Sequence, residues 1–288
     1  MPELPEIETI TRGLSERVLG KRILKVLVNN PEVLHTGRTS FVRNLTGSHF
    51  SEARRRGKMI ILATAREKDT GKYLLARLGM TGRLVYFGKE DALWGGKSFR
   101  DKDSFSHKHC HIVLVLEDNS ALLFCDSRKF GYLEIVDEKG LAEKLSAFGP
   151  EPLEEDFTWQ RLGEIVAGRK MNIKALLLNQ RLIAGIGNIY ADEVLFDARI
   201  RPTRPAGDLS IGEIKALHRS IRKILKKAVE KRGTTFSDYV DASGNEGGFQ
   251  QHLKVYGRQG KDCIGCEGKV EKTVVAGRGT HFCPICQR

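Results

Sequence analysis

The chain has 288 residues, which is enough for two domains that each bury a core of their own. Lys and Arg outnumber Asp and Glu by 48 to 36, giving a formal net charge of +12. This charge favours a polyanionic partner, although many basic proteins bind no nucleic acid. No stretch is apolar enough to cross a bilayer and no secretion signal is recognisable, so we expect a cytoplasmic protein without a membrane partner.

The second residue, Pro2, would become the amino terminus if Met1 were removed. Its secondary amine is a nucleophile, and attack on the sugar carbon of a deoxynucleotide would give an iminium that is cationic without protonation. Such an electron sink suits strand cleavage after base loss. The alternative interpretation is that Pro2 only sets the end of a chain, as it does in most proteins.

Apolar side chains recur at helical spacing after Pro2, which predicts a first helix with Pro5 in its first turn and Gly20 at its stop. Partial positive charge at the helix start favours the neutral amine, and Glu6 complements the helix dipole. Glu3 is left as a proton donor or acceptor. The apolar face consists of Ile7, Ile10, Leu14 and Val18.

The N-terminal half then reads as short strands separated by turn residues, which predicts a sandwich or barrel on which the first helix packs. Residues 88–106 are polar and contain glycine, so we predict an exposed loop there and assign it no role. The predicted strands cover residues 22–28, 58–65, 73–78, 83–87, 109–116, 121–125 and 132–136.

Prolines and acidic residues without periodicity at 149–155 are typical of a hinge between domains. Helices follow it, and the clearest has a capping box of Ser210 and Glu213 with an apolar stripe toward Gly233. Residues 238–249 are predicted to be a flexible loop. The predicted organisation is therefore a first domain at 1–148, a helical domain at 156–253 and a cysteine-rich module at 254–288.

Two Cys-x-x-Cys pairs near the end are separated by sixteen residues. This spacing lets two knuckles close a tetrahedral thiolate site for one structural Zn²⁺ ion. Strands at 272–276 and 280–282 would join at a tip that carries Arg278, either as a phosphate ligand or as an ordinary solvated arginine. The predicted zinc ligands are Cys263, Cys266, Cys283 and Cys286.

The other two cysteines, Cys110 and Cys125, lie in apolar, strand-like segments and are interpreted as reduced core thiols. Three histidines, His107, His109 and His111, alternate along the first of these segments. They could share a metal ion, which is the minor alternative there.

Motifs with a family resemblance are spread along nearly the whole chain. They are Met-Pro-Glu-Leu-Pro-Glu-Ile-Glu-Thr at the start, Gly57-Lys58, Leu78-Gly79-Met80-Thr81-Gly82, Asp126-Ser127-Arg128-Lys129-Phe130-Gly131, Phe148-Gly149-Pro150-Glu151-Pro152-Leu153, Gly185-Ile186-Gly187-Asn188-Ile189-Tyr190-Ala191 and the cysteine-rich tail. Together these motifs resemble those of the bacterial formamidopyrimidine-DNA glycosylases. The resemblance implies an α+β fold with two domains: an N-terminal β-sandwich flanked by helices, and a C-terminal helical domain with a helix-two-turn-helix element and a zinc-ribbon-like β-hairpin.

The same resemblance implies which residues act on DNA. The catalytic set would be Pro2, Glu3, Glu6, Lys58 and Arg278, with Lys58 close to the scissile phosphate. An enzyme that works on a base inside a duplex must flip the base out and fill the gap. The gap-filling residues would be Met80, Arg128 and Phe130, and the ligands of the DNA backbone would be His109, Lys129, Arg169, Lys174 and Asn188.

The predicted activity is that of a monomeric DNA glycosylase and AP lyase that excises oxidised purines from damaged double-stranded DNA. Two alternatives stay open at this stage. One is excision of oxidised pyrimidines, as in the endonuclease VIII branch, although the Arg128-Lys129-Phe130 turn resembles the purine branch more. The other is a zinc-dependent DNA-binding protein without catalysis.

Overall fold

The computed structural model describes residues 2–66, 69–88, 109–235 and 239–288, without the side chains of residues 69 and 70. Residue contacts divide the chain into two compact units. Unit 1 comprises Pro2, Glu6–Leu145 and Thr234–Gly247 as far as they are described, and unit 2 comprises Glu3–Pro5, Ser146–Gly233 and Gly248–Arg288. This division crosses the predicted linear boundaries at both ends of the chain, so those boundaries stay a prediction.

Two four-stranded antiparallel sheets form the described part of unit 1. The strands are β1 (Ile23–Val28), β2 (His49–Arg56), β3 (Met59–Arg66), β4 (Asp69–Arg77), β5 (Arg83–Phe87), β6 (Cys110–Leu116), β7 (Ala121–Cys125) and β8 (Tyr132–Asp137). One sheet has the order β1, β6, β7, β5 and the other has the order β2, β3, β4, β8. The predicted loop at 88–106 lies outside the described residues except for Gly88.

The two sheets share one apolar core, as the predicted sandwich requires. Ile60 and Leu62 of β3 and Leu114 of β6 are buried in a single cluster. The apolar face of α1 (Leu4–Val18) joins the same cluster through Ile7, Ile10, Leu14 and Val18. Burial of each such side chain contributes about 1.5–3 kcal/mol, so the helical spacing in the sequence is explained by packing on the sandwich.

Several elements of unit 1 were not predicted. Strand β2 was not predicted because its residues do not alternate between apolar and polar. It is an edge strand that ends in three arginines, and charged residues are common on such edges. The strand predicted from Lys58 begins one residue later, because Gly57 and Lys58 form the turn between β2 and β3. Two further helices, α2 (Arg38–Leu45) and α3 (Glu138–Ser146), also complete this unit.

Unit 2 contains the predicted helices and a separate apolar core. The helices are α4 (Trp159–Val166), α5 (Ile173–Leu178), α6 (Asn188–Asp197) and α7 (Ile211–Glu230). The capping box of α7 is present, since Ser210 accepts a hydrogen bond from the Glu213 backbone and the Glu213 side chain bonds the Ser210 backbone. None of the helices in the described ranges is long and apolar enough to cross a membrane.

The C-terminal hairpin of unit 2 pairs β9 (Glu271–Val275) with β10 (Arg278–Phe282). Ala276 and Gly277 link the strands with φ of 52° and 69°, the backbone that a two-residue type I′ turn requires. Arg278 was predicted at the tip, but it is the first residue of β10 and lies opposite Val275. The glycine therefore serves the turn, and the arginine follows it on the strand.

Candidate active site and nucleic-acid interface

Glu3, the residue after Pro2, is buried with 2% of its surface exposed. Its carboxylate accepts hydrogen bonds from the backbone N–H groups of Gly187 at 2.7 Å, Ile189 at 2.9 Å and Tyr190 at 3.4 Å. These amides lie at the start of α6, where a helix favours negative charge. The start of α6 is thus occupied by a carboxylate of the same chain.

The loop before α6 is shaped to receive the start of the chain. The Leu4 N–H donates to the Gly185 carbonyl at 3.0 Å. Gly185 has a φ of +86°, and a Cβ there would lie 2.7 Å from the Leu4 side chain. Gln180 fixes the same loop by accepting from the Gly185 N–H at 2.8 Å. A glycine is therefore required both for the backbone conformation and for the close approach of Leu4.

The second predicted acid, Glu6, belongs to unit 1 and is also buried, with 1% exposed. Its carboxylate accepts from the Thr234 N–H at 2.7 Å. Beyond complementing the α1 dipole, Glu6 thus anchors the segment that leads into the predicted loop at 238–249. Within that segment Tyr239 and Ala242 are buried in the sandwich core, and residue 238 lies outside the described residues.

Two turns of unit 1 carry the predicted gap-filling residues. Met80 and Phe130 are large apolar side chains, and they are 41% and 57% exposed. The Arg128 guanidinium lies 4.6 Å from the centroid of the Phe130 ring. A Cβ on Gly79 would meet the Phe130 backbone at 2.7 Å, so the backbones of the two turns pack closely against each other. The two exposed side chains therefore project from adjacent turns.

Asp126 holds the second turn and was missed as a site residue. It is 1% exposed, and its carboxylate accepts from the Arg128 N–H at 3.1 Å and the Gly131 N–H at 2.7 Å. The Thr81 hydroxyl of the Met80 turn donates to the same carboxylate. The available signal was its position two residues before Arg128, since an Asp side chain commonly bonds the backbone two residues on.

The other predicted DNA contacts in unit 1 are on basic side chains. Lys129 has a positive φ of 56°, and its ammonium lies 2.5 Å from the exposed Glu32 carboxylate, whose pKa it lowers. His109 is half-buried and its carbonyl accepts from the Asp126 N–H at 2.9 Å. His111 is buried and its Nε2 lies 2.7 Å from the Asp126 carbonyl oxygen. His107 lies outside the described residues.

Lys58 occupies the turn between β2 and β3 and is half-buried. Arg169 is exposed and its Nε donates to the Ile165 carbonyl at 2.5 Å. Asn188 donates through Nδ2 to the Gly279 carbonyl at 2.9 Å, and its buried Oδ1 has no hydrogen-bond partner among the described residues. The first residue belongs to unit 1 and the other two to unit 2.

Lys174 is completely buried in unit 2, unlike an ordinary phosphate ligand. Its ammonium donates to Asp192 at 2.7 Å, to the Thr280 hydroxyl at 2.8 Å and to the Gly279 carbonyl at 3.2 Å. Burial lowers the pKa of Lys174, and the Asp192 carboxylate opposes this shift. With three donors on three protein acceptors, Lys174 fastens the strand that begins with Arg278 to α6.

Two adjacent acids of α6, Asp192 and Glu193, were not predicted as important and are both fully buried. Besides Lys174, Asp192 accepts from the His281 N–H at 2.8 Å. Glu193 accepts from the N–H groups of residues 254–256 at 2.9–3.0 Å, and burial raises its pKa. Charged side chains within the apolar first half of α6 were the available signal, because such groups are rarely buried without partners.

The four cysteines of the tail come together as a group that could hold a metal ion, with all ligand atoms within 4.8 Å of one another. Sulfur separations are 3.8 Å for Cys263 and Cys286 and 3.5 Å for Cys266 and Cys283. Four sulfurs about 2.3 Å from a central zinc would be about 3.8 Å apart. Backbone N–H groups of Gly265 and Gly268 also donate to cysteine sulfurs at 3.4 Å. The donor set fits a tetrahedral thiolate site.

The fold and these sites define a DNA glycosylase with a helix-two-turn-helix element. The family described as the formamidopyrimidine-DNA glycosylase N-terminal domain matches residues 1–133, and the formamidopyrimidine-DNA glycosylase H2TH domain matches residues 148–240. The chain belongs to the formamidopyrimidine-DNA glycosylase family, whose members are enzymes of base excision repair with glycosylase and AP lyase activity.

Relatives match along the full length. The formamidopyrimidine-DNA glycosylase of Symbiobacterium thermophilum is 43% identical over 100% of this chain and 89% of its own length. That of Desulfitobacterium hafniense is 41% identical over 100% of both chains. A Lactococcus lactis Fpg variant in complex with Fapy-dG containing DNA is 34% identical, covers 100% of both chains and gives a TM-score of 0.88. The wild-type Lactococcus lactis Fpg in complex with DNA that contains an oxidised pyrimidine is 35% identical, covers 100% of both chains and gives a TM-score of 0.87.

Proposed function

We propose that this enzyme excises oxidised purines, such as 8-oxoguanine and formamidopyrimidines, from damaged duplex DNA and then cleaves the strand by β,δ-elimination. The observation that carries the proposal is the order of Pro2 and Glu3 at the start of the chain. Glu3 is fixed by three backbone N–H groups, so the residue beside the nucleophile has a defined position. We infer that the enzyme acts as a monomer. Since its substrate would be chromosomal DNA, we also infer that it acts at the nucleoid in the cytoplasm.

The chemistry begins once Met1 has been removed. The Pro2 nitrogen attacks C1′ of the damaged nucleotide, the bond to the base breaks, and opening of the sugar leaves an iminium between Pro2 and the sugar. The iminium withdraws electrons, so a proton at C2′ is lost and the 3′ phosphate leaves. A second elimination expels the 5′ phosphate. Glu3 accepts and returns the sugar protons in these steps. Glu6 holds the segment that begins at Thr234 by accepting a hydrogen bond from its backbone.

The cations are proposed to bind the DNA backbone. Lys58 and Arg278 hold phosphates beside the lesion, and Arg278 assists the second elimination. Lys129, His109, Arg169 and Asn188 contribute further contacts to the DNA backbone. Lys174 stays a predicted phosphate ligand, but its contacts favour an indirect role: it positions the strand that carries Arg278.

The exposed turns of unit 1 would act on the gap that base flipping leaves. Met80 and Phe130 enter the stack, and Arg128 hydrogen-bonds the partner base that has lost its pair. The support for this role is their exposure together with the close backbone packing of the two turns. Without DNA these side chains leave apolar surface in water, which filling a base-sized gap would bury.

We propose that the four-cysteine group holds one structural Zn²⁺ ion. Four thiolates complete a tetrahedral shell, so the ion has no open position for substrate and contributes no chemistry to the reaction. Its task is mechanical, because a hairpin of two five-residue strands cannot bury a core of its own. Cys263 and Cys283 are buried, and the metal would tie the hairpin to the knuckle before it.

The substrate preference is the part of the proposal with a real competitor. The Arg128-Lys129-Phe130 turn resembles the purine branch of the family, whereas one similar structure contains a DNA with an oxidised pyrimidine. Cleavage rates on matched duplexes that carry 8-oxoguanine, a formamidopyrimidine or an oxidised pyrimidine separate the two. We expect faster cleavage of both purine lesions, and exclusive cleavage of the pyrimidine duplex would overturn the purine assignment.

Borohydride reduction on lesion-containing DNA tests the nucleophile. The native protein should give a covalent adduct whose cross-linked peptide begins at Pro2, and Pro2→Gly or a form that retains Met1 should give none. Pro31→Gly is the matched control, because Pro31 opens a short 3-10 helix in unit 1 and should leave trapping unchanged. A cross-link on another side chain, or base release without any adduct, would contradict the mechanism.

A further inference from the structure

Cys110 and Cys125 lie on the adjacent strands β6 and β7 of unit 1. They are directly opposite in the register of β6 and β7, and both side chains belong to one buried cluster on the same face. The neighbouring pair is hydrogen-bonded, since the Asp126 N–H donates to the His109 carbonyl at 2.9 Å. The register shifts between Cys110 and Ile112, directly after the cysteine pair. Opposite residues of antiparallel strands have Cα atoms about 4.5–5.5 Å apart. Disulfides form at Cα separations of about 4.4–6.8 Å.

The two thiols also interact with each other. Their mutual hydrogen bond lowers the pKa of Cys125, and the nearby Arg83 charge acts in the same direction against burial. The same hydrogen bond and burial raise the pKa of Cys110. The two thiols therefore influence each other's ionisation, so that one can act as the nucleophile and the other can resolve the intermediate.

We propose that Cys110 and Cys125 form a redox modification site, in which a low-molecular-weight disulfide such as oxidised glutathione converts the two thiols into a cross-strand disulfide. One of the two cysteines, as its thiolate, attacks one sulfur of the oxidant and expels the other half as a thiolate. The other thiol then loses its proton, attacks the protein sulfur of this mixed disulfide and expels the second half. Two protein thiols and one external disulfide thus give one protein disulfide and two external thiols.

The position of the pair connects it to the turn that carries Arg128 and Phe130. Cys125 directly precedes Asp126, which holds that turn through its carboxylate. On the other strand, His109 and His111 flank Cys110, and both contact the backbone of Asp126. Any adjustment of strand spacing at the cysteines would therefore be passed to Asp126 over one residue on either strand.

Oxidation is expected to lower lesion cleavage, and this part rests on the proposed function of the turn. A misplacement of about 1 Å by a distant change can reduce a rate about a hundredfold, so we expect a loss of about tenfold that dithiothreitol reverses. Disulfides in reducing compartments are typically transient and regulatory, which fits a reversible site. Formation of the disulfide itself does not depend on the proposed function.

The test uses the zinc-loaded, full-length protein incubated with oxidised glutathione and then alkylated. Cleavage after Lys108, Glu117 and Arg128 places Cys110 and Cys125 on different peptides. Mass spectrometry should find these two peptides joined after oxidation and separate after reduction. Cleavage of lesion DNA is measured on the same samples, together with the zinc content.

Three variants separate this site from the zinc ligands. Cys110→Ser and Cys125→Ser should each abolish the joined peptides, and Cys110→Ala with Cys125→Ala should cleave DNA at the native rate whether or not oxidant is present. Absence of the joined peptides in the native protein would overturn the proposal. Equal loss of activity in the double alanine variant would attribute the effect to the zinc thiols and remove the regulatory part. Joined peptides without any change in cleavage would likewise reject the coupling to the turn.

Discussion

The turn that carries Arg128 and the hairpin that carries Arg278 are stabilised by different means. The Arg128 turn depends on groups within its own unit: Asp126 bonds the backbone of residues 128 and 131, and Gly79 allows the Met80 turn to pack against it. The Arg278 hairpin has only five-residue strands and depends on distant groups. Its supports are the cysteine group, Asp192, and Lys174, which lies more than 100 residues earlier in the chain.

This difference teaches where each predicted DNA contact is vulnerable. A turn with local supports should persist when remote groups are changed, provided that the sandwich stays folded. A hairpin with remote supports should lose its position when any one of them is removed, even though its own sequence is intact. Measurements that follow the two turns separately can therefore break or sharpen the comparison.

Removal of the metal is expected to have the largest effect. Structural zinc contributes about 10–16 kcal/mol in zinc-finger peptides, so chelation or Cys263→Ser should unfold the hairpin and weaken DNA binding severely. Hydrogen exchange should show lost protection in β9 and β10 while β6 and β7 stay protected. Binding is measured by titration of a fluorescent lesion duplex.

Cys110→Ser is the control for the cysteine substitution, since Cys110 is a buried thiol of unit 1 outside the metal group. Under reducing conditions it should keep zinc, hairpin protection and DNA binding. Undiminished binding after proven loss of zinc would show that the hairpin needs no remote support, and the comparison would fail.

Loss of the buried ion pair is expected to have the next largest effect. Lys174→Met leaves the Asp192 carboxylate buried without its cation, which typically costs about 3–5 kcal/mol. Urea unfolding of unit 2 should report this loss. Combining Lys174→Met with Asp192→Asn removes both charges and keeps an acceptor for His281, so the double variant should recover part of the stability.

Lys223→Met is the matched control. Lys223 pairs with Asp197, which lies on the same helix as Asp192, but the Lys223 side chain is 63% exposed. Exposed pairs contribute about 1 kcal/mol or less, so this change should be nearly neutral. If Lys174→Met is equally mild in stability but abolishes DNA binding, Lys174 contacts phosphate directly and its positioning role is wrong.

The sequence predicted those parts of the fold that depend on local periodicity. The apolar face of α1 and the capping box of α7 follow from residues three or four apart, and both are present. The grouping of Cys263 and Cys266 with the later pair follows from chelate spacing. In each case neighbouring residues contain the whole physical reason, so a reader of the chain can find it.

The supports that join distant segments could not be predicted in this way. Glu3 was expected to be uncommitted, but its partners are amides 184 to 187 residues away. Asp192 and Glu193 stand out as charged residues within an apolar helix, but the sequence does not show that their partners come from the tail. Strand β2 is charged and gains its identity only by pairing with β3. In all three cases the structural role depends on partners that are distant in the sequence, and local sequence patterns do not identify these partners.

The smallest expected effect concerns Asp126, the local support of the Arg128 turn. Asp126→Asn keeps one acceptor oxygen but replaces the other by a donor that faces the Gly131 N–H. Hydrogen bonds to charged groups contribute about 1.5–3 kcal/mol, so we expect a loss near the lower end of this range, because the rest of the sandwich is unchanged. Lesion binding should weaken more than undamaged DNA binding, because Arg128 and Phe130 would act only on a flipped base.

Asp118→Asn provides the control, since Asp118 lies in the β6–β7 turn, is 39% exposed and pairs with Lys21. This variant should change neither the preference for lesion DNA nor the hydrogen-exchange protection of β9 and β10. The comparison of the two regions makes a further demand on Asp126→Asn: protection of β9 and β10 must stay at the native level, because the hydrogen bonds of Asp126 described above are made within unit 1. If the hairpin loosens together with the Arg128 turn, the two regions are coupled, and support of the Arg128 turn is not local.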